Sequence, residues 1–205
     1  MSNNDNEKLL QILDAARKRF AHFGLAKTTM AEIASDIGMS KASLYYYFPD
    51  KEHLFIGVIE REMNAFLDQV QSSIEEPGSA SAKLYKYMEE RLANFRELLN
   101  LVKLESANQE SVKPSTALWE QLHKREVKLV EKILELGVRK KEFTIENIPL
   151  TADMYVSVTR GLRLMVIKMS GSYHLNEEAY NTLKTHQEHF TKVFVKGISR
   201  TQQII

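Results

Sequence analysis

Apolar residues recur at helical spacing through most of the 205-residue chain, and short polar or glycine-containing breaks interrupt the pattern. The first such segment is predicted to be a helix from Glu7 to Phe23. Its apolar positions step by three or four residues and therefore share one face; they are Leu9, Leu13, Ala16, Phe20 and Phe23. Gly24 follows as a natural C-terminal stop. The pattern predicts an amphipathic first helix with a buried stripe.

Two short helices are predicted next, and a tight turn at Gly38 joins them without a Cβ clash. Thr28 or Thr29 can cap the first, and Glu32 stands three residues after Thr29, in the capping-box position. Ser40 is placed to cap the second. Two short helices around a glycine-containing turn are the plan of a helix-turn-helix, in which the first helix braces the second.

The second short helix, predicted from Lys41 to Phe48, is the one that could enter the major groove of DNA. Met39 and Leu44 can fix it to the core. Tyr47 is assigned to the core as well, because a helix cannot turn three consecutive tyrosines outward. The residues left to face a nucleic acid are Lys41, Ala42, Ser43, Tyr45 and Tyr46.

Longer helices are predicted after Pro49-Asp50, where Asp50 is a candidate cap. They run from Lys51 to Glu76, Ser81 to Glu105, Ser115 to Lys140, Thr151 to Met169 and Glu177 to Arg200. The breaks between them are Pro77-Gly78, the polar stretch Ser106 to Pro114, the loop Asn147-Ile148-Pro149 and Ser170-Gly171-Ser172. No segment alternates as a strand does. The predicted fold is all-α, with a DNA-binding domain over residues 1–50 and a helical domain over residues 51–205.

Composition narrows the class of protein without naming a partner. The net charge is +1, and residues 5–53 carry seven basic and seven acidic side chains, so charge favours neither presence nor absence of a nucleic-acid partner. The chain has no cysteine, which excludes disulfides and thiolate metal sites. A polar N-terminus and the lack of a long apolar run lead us to expect a cytoplasmic protein.

Three stretches resemble the DNA-binding domain of the TetR family, the tetracycline-repressor-like regulators, over about residues 7 to 55. They are Thr28-Thr29-Met30-Ala31-Glu32-Ile33-Ala34, Gly38-Met39-Ser40-Lys41-Ala42-Ser43-Leu44-Tyr45 and Tyr47-Phe48-Pro49-Asp50-Lys51-Glu52-His53-Leu54. The resemblance implies DNA-backbone contacts by Thr28, Thr29, Ser43, Tyr45 and Lys51. It places Lys41, Ala42 and Tyr46 near bases, and the predicted interface also includes Ser40. Ile37, Ala42 and Tyr47 depart from the common family residues, and Ala42 and Tyr46 leave the operator sequence open.

Beyond about residue 56 the resemblance is architectural. It implies a C-terminal domain that binds a small ligand and dimerises through its last two helices. Candidate ligand-lining residues are Phe95, Trp119, Met154, Tyr155 and Met165. Candidate dimer-seam residues are Ser157, Gly161, Leu183, Phe190, Val193, Phe194 and Ile198. At helical spacing such aromatic and methionine residues are more often plain core than ligand contacts.

The sequence is thus expected to encode a homodimeric repressor, released from a palindromic operator when a small molecule shifts the helix Lys51 to Glu76. Alternatives are a ligand-independent regulator controlled by a protein partner or by abundance, a helical-bundle enzyme, and a purely structural helical protein. No complete catalytic constellation is present. The pairs Glu120/His123 and His186/His189 lack further ligands, so we expect no metal and no cofactor.

Overall fold

In the computed structural model, eight α-helices make up the fold over residues 3–101, 116–170 and 176–200, the residues that the structure describes. They are α1 (Asn3–Lys27), α2 (Met30–Asp36), α3 (Lys41–Tyr47), α4 (Lys51–Glu75), α5 (Ala80–Leu101), α6 (Thr116–Arg139), α7 (Ile148–Ser170) and α8 (Glu177–Ile198). The all-α prediction is confirmed. The predicted break over Ser106 to Pro114 and most of that at Ser170-Gly171-Ser172 lie outside the described residues.

The chain folds as two compact units. The described residues of the first unit are 3–63 and 97–101, and those of the second are 64–96, 116–170 and 176–200. Helix α4 begins in the first unit and ends in the second, so one continuous helix contributes to both. The predicted domain boundary at residue 50 stays a prediction.

Helix α1 supplies much of the core of the first unit. Ile12, Ala16 and Phe20 are fully buried there, and the Phe20 ring meets Phe55 of α4 edge-on at 5.3 Å between centroids. The predicted stripe is wrong at its end, because Phe23 is 48% exposed. The buried face passes through Ile12, while Phe23 packs on the surface under the Arg19 guanidinium at 5.4 Å.

Helix α7 begins three residues earlier than its sequence pattern predicts. Asn147 accepts the Leu150 backbone N–H at 3.1 Å, so the predicted loop Asn147-Ile148-Pro149 is in fact a capped helix start. Proline is tolerated in the first turn because the N–H it lacks would have had no helical partner there. The prediction treated Pro149 as a break, whereas here it opens a helix.

Tyr155 of α7 lies at the centre of the second unit and is fully buried. Its hydroxyl is 2.8 Å from the Thr191 hydroxyl of α8, and its ring packs on Phe190 and Phe194 at centroid distances of 5.6 and 4.7 Å. An aromatic ring with a satisfied hydroxyl provides large apolar burial without an orphaned polar group. This cluster joins α7 to α8 within the protomer.

Candidate nucleic-acid interface

The start of α2 is fixed by the predicted capping box. The Thr29 hydroxyl accepts the Glu32 N–H at 3.3 Å, and the Glu32 carboxylate accepts the Thr29 N–H at 2.9 Å. The hydrogen bond from the Thr29 hydroxyl is the main cause that lowers the pKa of Glu32. Thr29 stays exposed at this helix end. Its placement allows the predicted backbone contact with DNA.

Thr28 does not share that exposure. Its side chain is buried, and its hydroxyl donates to the Gly24 carbonyl at 2.8 Å. Gly24 has φ = 79°, a left-handed value that breaks the regular path of α1. The prediction that the Thr28 side chain reaches DNA is therefore corrected: Thr28 instead stabilises the bend between α1 and α2.

Arg19 ties α1 to α2. Its guanidinium donates two hydrogen bonds to the Asp36 carboxylate, at 2.6 and 2.7 Å, and lies 3.3 Å from Glu32. The bidentate bond from Arg19 lowers the pKa of Asp36. Both acids of the bracing helix are thus neutralised by an internal partner, which reduces their repulsion of an approaching phosphate.

The turn between α2 and α3 depends on Gly38. Its φ is +63°, and a Cβ added there would meet nothing within 4 Å. The turn therefore needs glycine for its left-handed backbone conformation, and not for lack of space as the sequence suggested. The Met39 N–H donates back to the Ala34 carbonyl at 2.9 Å, which closes the turn.

Helix α3 is held from one side only. The Ser40 hydroxyl caps it by accepting the Ser43 N–H at 3.0 Å, as predicted. Leu44 is its one buried residue and is completely enclosed. A seven-residue helix is too short to be stable alone, so the Leu44 contact and the cap hold it in place.

The opposite face of α3 is open to solvent. Tyr46 is 85% exposed and Tyr45 is 41% exposed, with the Lys41 ammonium 5.7 Å from the Tyr45 ring. Ala42 and Ser43 are exposed between them. The structure therefore brings together on one surface the α3 residues predicted to face a nucleic acid, which are Lys41, Ala42, Ser43, Tyr45 and Tyr46.

A groove of about 490 Å³ runs beside α3 and has a cation that the sequence reasoning missed. Lys8 of α1 lines it together with residues of the turn and of α3, namely Gly38, Met39, Ser40, Ser43, Tyr46 and Tyr47. Lys8 makes no ion pair with any acid in the described ranges. Lys8 lies on the exposed face of α1, opposite the apolar stripe that contains Leu13. Its position on the polar face of this amphipathic helix was the sequence signal that could have predicted its exposure.

The start of α4 closes the first unit. The Asp50 carboxylate accepts the His53 N–H at 2.7 Å, which confirms the predicted cap and lowers the pKa of Asp50. Lys51 is partly buried, and its ammonium lies 3.5 Å from the Ala26 carbonyl. That long contact leaves the ammonium able to turn toward a phosphate at the same edge.

Acidification is expected to destabilise the first unit. The folded-state pKa values of Glu32, Asp36 and Asp50 are lowered from the ordinary 4.5, 3.8 and 3.8, so their stabilisation is complete above those values and is lost as pH falls through the lowered ones. The melting temperature measured between about pH 6 and about pH 3 should fall. Asp36→Asn should melt lower at neutral pH and lose less on acidification. An unchanged slope in that variant would contradict the role given to Arg19.

Two family models match the chain in sequence. The model of bacterial regulatory proteins of the tetR family matches residues 12–58, and that of the QacR-like protein C-terminal region matches residues 62–200. A crystal structure of a transcriptional regulator from Cytophaga hutchinsonii is 40% identical with a TM-score of 0.84, and the match covers 94% of this chain and 99% of that one. The chain belongs to the TetR family. It is a transcriptional regulator of a DNA-binding repressor class and not an enzyme.

Curated relatives match this chain over only part of its length. The fatty acid metabolism regulator protein of Bacillus subtilis is 31% identical over 77 residues, or 38% of this chain and 40% of that protein. The HTH-type regulator RutR of Escherichia coli is 38% identical over 65 residues, or 32% of this chain and 31% of that protein. The chain thus spans less than half the length of these relatives.

The candidate ligand-lining residues of this TetR-family chain separate into two groups. Tyr155 is buried, Phe95 is partly buried and packs against the core cluster of Leu92, Val166 and Leu183, and Trp119 is partly buried beneath Arg160. Met154 is 56% exposed and Met165 is also exposed. Both methionines are therefore corrected: they lie on the outer face of α7 and do not line an interior site.

The candidate seam residues also separate. Leu183 is fully buried in the core of its own protomer, beside Leu92 and Val166, so its assignment to a seam is wrong. Phe190 and Phe194 pack inward on Tyr155 and are partly buried, as is Ile198. The residues that remain accessible to a partner are Ser157, Gly161 and Val193.

The two pairs that the sequence analysis weighed as metal ligands, and set aside, have ordinary surroundings. His123 Nε2 is 2.9 Å from Asp153, and His186 and His189 lie exposed on α8. Within the three described ranges, no cluster of three metal-ligating side chains occurs. The same residues include no helix long and apolar enough to cross a membrane.

Proposed function

We propose that this TetR-family chain is a homodimeric repressor that binds a palindromic operator through α3 and leaves it when a small molecule binds the second unit. The observation that carries the proposal is the one-sided anchoring of α3, with Leu44 buried and Tyr46 almost fully exposed. A recognition helix needs one face packed against the rest of the domain and the opposite face exposed to enter the major groove.

Base reading is assigned to the exposed face of α3, and positioning to the groups around it. Lys41, Ser43 and Tyr46 would contact base edges, while Thr29, Tyr45 and Lys51 would contact the DNA backbone. Lys8 joins this second group from its groove beside α3. Phosphate contacts supply salt-dependent affinity, whereas base contacts supply specificity.

Dimerisation is assigned to the outer face of α7. This face carries a run of exposed apolar side chains at helical spacing, and they are Leu150, Met154, Val158, Leu164, Met165 and Met169. Gly161 and Ser157 lie on the same face and leave room for a close helix approach. A continuous exposed apolar patch on a soluble protein marks an interaction surface. A second copy would also supply the second half-site reader at a spacing of about 34–36 Å.

Release by a ligand is assigned to the second unit because α4 enters both units. A ligand that favours one arrangement of α4 would change operator affinity by its differential affinity for the two states. An effector that binds without altering operator affinity would show a ligand-independent regulator instead.

The proposal is tested by selecting operator sites from a random double-stranded DNA pool and measuring affinity by gel shift at two salt concentrations. Enrichment of a palindrome, with affinity falling steeply as salt rises, is the expected result. A pool that shows no enriched sequence would overturn specific operator binding by this chain.

Two lysine variants should separate base reading from positioning. Lys41→Ala should weaken binding to the selected operator by about 5- to 150-fold, the range for discrimination by a single base-reading side chain, and relax the preference at one position. Lys8→Ala should weaken all DNA sequences alike and reduce the salt slope by roughly one, because one lysine no longer neutralises a phosphate. Lys18→Ala, an exposed lysine of α1 outside the groove, is the matched control and should bind as the wild type does. A salt slope in Lys8→Ala equal to that of the control would contradict the groove assignment.

A further inference from the structure

One cationic side chain inside the second unit has a buried nitrogen atom without a hydrogen-bond partner. Arg163 of α7 is 2% exposed, and its Nη2 atom donates no hydrogen bond to any described residue. Burying an ionised group without a partner is strongly unfavourable, so such groups in proteins are normally paired. Arg163 is therefore unexplained by the packing around it.

The charges next to Arg163 do not balance it. Glu126 is the buried carboxylate of this cluster, and it accepts hydrogen bonds from Arg91 Nε at 2.8 Å and from the Tyr87 hydroxyl at 2.6 Å. Two buried guanidiniums thus share one carboxylate, and Arg160 adds a further positive charge nearby. Burial lowers the pKa of Arg163 to about 10, and Arg91 acts in the same direction. Arg163 still carries its proton at neutral pH, so among the described residues two buried guanidiniums share the single carboxylate of Glu126.

An aromatic ring and an unused acceptor accompany this charge on the neighbouring helices. The Arg163 guanidinium lies 5.9 Å from the ring of Phe95, which is only partly buried and packs on the core cluster of Leu92, Val166 and Leu183. Gln187 of α8 donates to the carbonyl of Thr159, one helical turn before Arg163, at 3.1 Å, and its buried Oε1 atom has no partner among the described residues. Arg163 of α7 thus supplies a cation, Gln187 of α8 supplies an unused acceptor, and the Phe95 ring of α5 supplies an apolar surface.

We propose that the second unit binds an apolar organic acid, with the carboxylate paired to Arg163 and the hydrocarbon body against Phe95. The inference rests on the proposed function, because it names the chemical class of its effector. The planar guanidinium matches a carboxylate in charge and in geometry. Gln187 Oε1 offers an acceptor to a hydroxyl or N–H group on the same ligand.

Calorimetric titration of the full chain without DNA tests the ligand class. The probes are octanoate, phenylacetate and naphthoate, each compared with its uncharged primary amide and with sulfate. At least one carboxylate should bind about 10-fold or more tightly than its amide, and Arg163→Met should weaken that carboxylate by about 10- to 150-fold without weakening the amide. Failure of all three carboxylates to bind, equal binding of the amides, or sulfate binding as tight as the carboxylates would each overturn the proposal.

The melting temperature tests whether the Arg163 charge contributes to the stability of the ligand-free protein. Arg163→Met should melt at or above the wild-type temperature, because it removes the surplus buried charge. Arg91→Met should melt lower, because it removes the direct partner of Glu126. Equal lowering by the two variants would make Arg163 a structural partner of Glu126 and overturn the inference.

Operator binding by the same preparation separates the two proposals. DNA binding without carboxylate binding rejects this inference alone, and carboxylate binding without DNA binding rejects the DNA-binding role alone.

Discussion

Replacing Met154 by glutamate is expected to turn the proposed dimer into a monomer and to weaken operator binding by about 100-fold or more. Met154 is 56% exposed on the apolar face of α7, so the substitution leaves the protomer core untouched. In a symmetric dimer that residue meets the same face of the partner, and two carboxylates would lose water and repel each other there. A monomer also loses the avidity of two linked half-site readers.

Sedimentation velocity and gel shift on the selected operator measure the two effects. Gln121→Glu on α6 is the charge-matched control, since Gln121 is exposed and lies on another helix. It should remain dimeric and bind as the wild type does. A Met154→Glu protein that stays dimeric with unchanged affinity would place the interface elsewhere on the chain.

Replacing Arg91 by methionine is expected to lower the free energy of unfolding by about 3–5 kcal/mol, the usual cost of breaking a buried ion pair. The Arg91 and Glu126 side chains are both largely buried, with 2.8 Å between Nε and Oε1. Burial opposes ionisation of Glu126, but the charges of Arg91 and Arg163 and the Tyr87 hydrogen bond outweigh it and lower the pKa of Glu126. Without Arg91 the carboxylate keeps its burial and loses its main partner.

Urea denaturation followed by circular dichroism measures this loss. Arg96→Met on the same helix is the control, because Arg96 pairs with Glu177 at the surface. An exposed pair contributes at most about 1 kcal/mol, so the control should change little. Equal losses in the two variants would show that the buried network contributes no more than a surface pair.

The helix-turn-helix could be predicted almost completely from the sequence. Its determinants are local: Thr29 with Glu32, Ser40 with Ser43, and Asp50 with His53 each lie three residues apart, and the structure shows each cap as predicted. Residues three apart on a helix end meet because of backbone geometry alone. The two errors in this unit concern burial near the end of α1, where Thr28 is buried and Phe23 is exposed. Burial there depends on which face the neighbouring helices cover.

The second unit was predictable only as a set of helices. Leu183 and Met154 are both apolar residues at helical positions, yet Leu183 is enclosed by Leu92 and Val166 while Met154 faces outward. Periodicity marks a face of a helix without saying whether the cover comes from the same chain or from a partner. That distinction depends on residues tens of positions apart in sequence.

The sequence alone determined the helical class, the caps, the turn at Gly38 and the family, because each follows from spacing within a few residues or from a continuous motif. Tertiary structure alone decided which apolar residues form the core and which remain exposed on α7. It also revealed Lys8 beside α3 and the buried Nη2 atom of Arg163 that has no hydrogen-bond partner. Arginine in a helix usually reaches solvent, and only the packing of α5, α6 and α8 around Arg163 shows that this one does not.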